Sequence, residues 1–180
     1  MRKLVLIVLP LAVVAGPAMA QAATSGSTGQ VDINGSVAGR CLFTTPSKTI
    51  TLGELALSGS TTAAGKLDTA KVDTKFETLV GWCNNAAATM TVTTTELTNT
   101  APIATGFDNR IDYTATAVAN SATASDSSLT AGAGSSVTVG LFTGNVVVTL
   151  SGSSTPNSGL LVAGGYSGNV KVTLAPLIAL

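Results

Sequence analysis

Asp108, Asp112 and Asp126, with Asn109 beside the first, are the nearest thing in the sequence to a catalytic carboxylate cluster. Paired carboxylates can hydrolyse a glycosidic bond without histidine, one as acid and the other as base or nucleophile. The same oxygens suit a calcium ion, but the loop spacing of an EF-hand is missing. These acids are therefore expected to be ordinary solvated residues of loops and strand edges.

Other catalytic constellations are excluded more firmly. The chain contains no His, so Ser-His-Asp and Cys-His sites and His-ligated metal centres cannot be built. It carries no G-x-S-x-G elbow, no Walker loop, no H-E-x-x-H helix and no C-x-x-C pair. Gly132-Ala133-Gly134 opens like a dinucleotide loop, but Ser135-Ser136-Val137 follow in place of the third Gly and a helix. No enzyme activity, cofactor or metal is expected. Nine basic residues balance nine acidic ones, and only 10% of the chain is charged, which gives no basic field for a nucleic acid.

Two smaller signals remain. Asn34-Gly35-Ser36 fits the N-glycosylation acceptor pattern, a short signal with many chance matches. Trp82, next to Cys83, is either a ligand-stacking aromatic or a core residue. Its place in an alternating apolar run assigns it to the core, packed against the cysteines.

Arg2 and Lys3 precede an apolar run from Leu4 to Gly16, followed by Pro17 and Ala18-Met19-Ala20. Those are the regions of a secretory signal peptide, residues 1–20, with cleavage before Gln21. The mature chain is then mildly acidic, and no later segment could span a bilayer. Export carries Cys41 and Cys83 into an oxidising compartment, where a disulfide is the default and two buried thiols the alternative. Closing that loop is worth about 4 kcal/mol in the chain-entropy model.

The elements that must position these residues are strands. Residues 21–30 are small and polar and read as a flexible extension. From Val31 the pattern alternates: Val31, Ile33 and Val37 share one face of a half-buried strand, with a tight turn at Asn34-Gly35 as the alternative. Further alternating segments run through Val72–Trp82, Met90–Thr94, Ile111–Ala117, Val137–Leu141, Val146–Leu150 and Val170–Leu174, with a shorter one at Thr49–Leu52. Breaks are expected at Gly59–Gly65, Ala119–Ser136, Thr143–Asn145 and Ser151–Gly159. About eight short strands with such turns predict an all-β antiparallel sandwich or barrel over residues 31–180.

The strand ending at Cys41, Thr49-Ile50-Thr51-Leu52-Gly53, the strand into Cys83-Asn84, Thr89–Thr93 and the closing Gly165–Leu174 segment occur in an order that resembles the spore coat protein U and chaperone-usher pilin group. The resemblance covers residues 30–176. It implies an immunoglobulin-like sandwich lacking its last strand, with a groove filled by a neighbouring subunit's N-terminal extension. It also implies identical or related subunits, a periplasmic chaperone and an outer-membrane usher as partners, and a cell-surface or extracellular destination. Val31, Ile33 and Val37 would form the donated strand. Val170, Val172 and Leu174 would form the last strand, followed by a tail with Leu177 and Leu180 that either leaves the groove open or closes it. The chain thus reads as a surface-appendage or coat subunit, or else as a self-complete adhesive or binding module.

Overall fold

The computed structural model describes residues 25–177. The signal-peptide reading of residues 1–20, and Leu180, lie outside the described residues.

The chain separates into two units, residues 1–36 and 37–180. In the first, residues 25–36 are all exposed and belong to no strand or helix. The strand read from Val31 does not form, nor does a hairpin at Asn34-Gly35. Val31 and Ile33 are 86% and 92% exposed, and Val37, at the start of the second unit, is 88% exposed. Three apolar side chains among Gly, Ser, Asp and Asn bury too little surface to offset the entropy of ordering the backbone.

The second unit is all-β. Its strands are β1 (Cys41–Thr45), β2 (Phe76–Cys83), β3 (Thr89–Thr98), β4 (Phe107–Asp108), β5 (Arg110–Ala119), β6 (Ala122–Ser127), β7 (Val137–Thr138), β8 (Phe142–Ser154), β9 (Leu160–Leu161) and β10 (Ser167–Ala175). One hydrogen-bonded path runs β1-β2-β8-β5-β3-β10, with β6 added to β5 and β7 to β3. Every pairing on it is antiparallel; only the small β4–β9 pair is parallel. The β3–β5 link is just Leu97↔Ile111 and Thr98↔Arg110. There the path folds over, laying β3, β7 and β10 across the larger layer and enclosing one core.

That core follows the alternation seen in the sequence. Met90 and Val92 of β3, Ile111, Tyr113, Ala115 and Ala117 of β5, and Val146, Val148 and Leu150 of β8 are buried, because successive side chains of a strand point to opposite faces.

Five expectations about its strands and breaks fail. Thr74 has φ 66°, so the chain turns after Val72 and the buried Val72 does not set the phase of β2. Cys83, Gly81 and Leu79 face the core instead, and Trp82 and Val80 lie on the outer face. Asn120 and Ser121 both have positive φ, 46° and 65°, the geometry of a type I′ hairpin turn. The Ala- and Ser-rich stretch after them is therefore β6, not a break. Gly144 continues inside β8 opposite Gly81, whereas the Val137–Leu141 strand is cut to two residues by Gly140, at φ 68°. Thr49–Leu52 makes no strand; Ile50 and Leu52 still pack on the core.

Candidate strand-docking groove

Cys41 and Cys83 are directly paired across β1 and β2 and form a disulfide, with Cα atoms 4.2 Å apart. The bridge pins the first strand to the larger layer. Close by, Gly81 leaves room for its neighbours: a Cβ there would come within 3.1 Å of the Phe43 ring and 3.4 Å of Leu174. β1 and β10, the two ends of the path, therefore approach each other at this end of the sandwich.

Farther on they part. Pro46 follows the last residue of β1, and its lack of an N–H stops the ladder. Residues 46–54 then run over the core without strand pairing. Between this segment and β10 lies a groove of about 430 Å³, walled by Ile50 and Leu52 on one side and Val170 and Val172 on the other. Leu79, Leu97, Tyr113, Val148 and Leu150 form its floor. A second hollow of about 730 Å³ continues it between residues 49–56 and 161–168.

Its β10 wall is an unpaired sheet edge. β10 bonds only to β3 along the path, so its outer backbone groups are free to pair with an added strand. The side chains show the same asymmetry. Val172 and Leu174 are the register partners of Val92 and Met90. Val92 and Met90 are fully buried, yet Val170, Val172 and Leu174 are only half-buried. The apolar face of the sandwich is thus left uncovered beside its last strand. Leu177 lies beyond that strand and is 58% exposed; its carbonyl accepts a 3.0 Å hydrogen bond from Asn85 Nδ2. It does not line the groove.

Tyr113 supports the acceptor edge from below. Its ring is buried, and its hydroxyl reaches across the core to the carbonyls of Thr95 on β3, 2.8 Å away, and Asn169 on β10, 3.2 Å away. Burial, with the nearby Glu96 charge, pushes the phenol up to about 12. Ionising it would place a charge in the core and remove the donor.

The three acids occupy different sites and are not solvated. Asp108, Asp112 and Asp126 are all buried. Asp108 accepts from Gly159 N at 2.7 Å and Asn157 Nδ2 at 2.8 Å, holding the loop after β8. Burial alone would raise its carboxyl, but bonds from Gly159, Asn157 and Thr155 outweigh that and lower it below the ordinary 3.8. Asp112 pairs with Arg110 at 3.0 Å and accepts from Ser128. Asp126 accepts from both N–H and Oγ1 of Thr94, at 2.7 Å each, clasping β6 to β3. Each carboxylate is committed to structural donors. Among the described residues, no three His, Cys, Asp or Glu side chains gather as a metal site. Trp82 presents its side chain on the outer face, opposite Leu42 of β1; its neighbour's disulfide could have revealed this, since adjacent strand residues cannot share a face.

Fold and groove together define a disulfide-linked, all-β sandwich with an uncovered edge. Among the described residues no helix is long and apolar enough to cross a membrane. No known family, no curated protein and no solved structure matches the chain.

Proposed function

We propose that this chain is an exported structural subunit of a bacterial surface appendage or coat, and that its groove accepts an extended strand from a neighbouring subunit. The uncovered apolar face beside the unpaired edge of β10 carries this reading. A strand laid there would gain ladder hydrogen bonds from β10 and bury alternate side chains on Val170, Val172, Leu97 and Leu79. The exposed segment with Val31, Ile33 and Val37 is the donor. It has the period of a strand and lies in none. Each of these side chains would bury surface worth about 1.5–3 kcal/mol. Until a donor arrives the groove is an aggregation hazard, which is the physical reason for a periplasmic chaperone and an outer-membrane usher as partners, in keeping with the resemblance to spore coat protein U and chaperone-usher pilins.

The test is assembly of the purified secreted chain. Wild type should form an SDS-resistant ladder, and Val31→Asp with Ile33→Asp should abolish it while leaving monomer stability unchanged, because both side chains are exposed in the monomer. A synthetic peptide covering residues 25–40 should bind the monomer and raise its thermal midpoint. A wild-type chain that stays monomeric and ignores the peptide would overturn the reading in favour of a self-complete adhesive module.

A further inference from the structure

Asn34 is the only one of the chain's nine asparagines that is followed by Gly. That pairing has its own chemistry, because Gly has no Cβ to hinder its main-chain nitrogen or restrict its dihedral angles. Six other asparagines have side chains held in hydrogen bonds, at positions 84, 85, 99, 109, 120 and 157. Asn145 and Asn169 sit inside β8 and β10. Asn34 and Gly35 are exposed and outside any strand or helix, and a Cβ on Gly35 would meet nothing within 4 Å. Among the described residues no main-chain partner holds the Gly35 N–H.

We propose that Asn34-Gly35 is a self-modifying site, and that its conversion ends the competence of this segment as a donated strand; the second half rests on the strand-donation reading above. The Gly35 nitrogen attacks Cγ of Asn34, forming a new C–N bond and expelling ammonia to leave a succinimide. Water then adds to either ring carbonyl and breaks one C–N bond. Opening one way gives aspartate; opening the other gives isoaspartate, whose former side-chain carbon now lies in the backbone. In an extended strand Val31, Ile33 and Val37 share a face. An extra backbone atom between Ile33 and Val37 puts the third side chain out of phase with the first two. Pairing with β10 would block the attack by fixing the backbone, so a donated segment is protected while an undonated one ages.

The experiment takes monomer of the purified secreted chain, separated from any ladder and held dilute, incubates it at mildly alkaline pH and maps its peptides by mass with time. Asn34 should convert first, with isoaspartate detected enzymatically, while the other eight asparagines remain amides as long as the fold persists. An intact amide or a glycan at Asn34, or conversion no faster there than elsewhere, overturns the site. Fresh and aged samples are then compared for ladder formation beside Gly35→Ala, which slows ring closure in open space. Brought to the concentration at which fresh monomer assembles, aged wild type should form no ladder and aged Gly35→Ala should form one. Equal ladders from fresh and converted wild type overturn the consequence for assembly. Absence of a ladder even from fresh protein overturns strand donation itself, and the mass map decides the modification separately.

Discussion

Replacing Tyr113 by Phe keeps the ring and removes only the hydroxyl that ties β3 to β10 beneath the groove. Near neutral pH the variant should lose about 1 kcal/mol, the usual net worth of such a bond. The alkaline limb is more diagnostic. The folded value is raised from 10.0 to about 12, so the fold favours the neutral phenol. That stabilisation is complete below the unfolded value and is lost as pH rises from 10 through 12. With those two values the wild type gives up about 1.4 kcal/mol by about pH 11. The Tyr113→Phe variant has no phenol to ionise at this position, so its deficit should shrink with pH and vanish near there. Every other group is common to both proteins and cancels in the difference. Urea titrations followed by the fluorescence of Trp82, the only tryptophan, give both curves. A constant gap between about pH 8 and 11 would refute the claim that this hydroxyl is a buried link between the layers.

Three other outcomes follow from the same geometry. Cys41→Ser with Cys83→Ser should lower stability by about 4 kcal/mol in denaturant, since the bridge closes a long loop; an unchanged midpoint would contradict it. Asp126→Ala should cost about 1–3 kcal/mol by leaving the Thr94 N–H buried and unpaired, measurable as a thermal shift. Asp108 has a folded value below 3.8, so its contribution is full above that value and is lost as pH falls through the depressed one. Asp108→Asn should flatten the acid limb of a stability–pH curve, and a limb of unchanged steepness would count against the hydrogen-bonded carboxylate.

The class of fold could be read from alternation alone, because β3, β5 and β8 each bury one face and keep Thr or Ser on the other. The disulfide was legible from two cysteines in a chain whose sequence reads as exported. What escaped was set by single backbone angles. Thr74 resets the phase of β2, and Asn120-Ser121 turns a Ser-rich stretch into a hairpin. None of the three announces a positive φ as strongly as Gly would. The burial of Asp108 and Asp126 was not legible because their partners, Gly159, Asn157 and Thr94, are remote in sequence. The groove has no signature in the alternation. Its geometry depends on where β1 stops at Pro46 and on how far β10 stays from residues 46–54, and periodicity carries no distances.

The strand order also bears on how the chain reaches this state. β2 must find β8, and β10 must find β3, with 58 residues between the first two and 68 between the second. Such distant pairings must be closed before they stabilise anything, which slows folding. Among the described residues, the early neighbour pairings with substantial ladders are β5 with β6 and, once oxidised, β1 with β2. During the delay the apolar sides of β8 and β3 are open to solvent and to other chains. Folding thus competes with aggregation in time, and the disulfide bears on the order of events as well as on the final state.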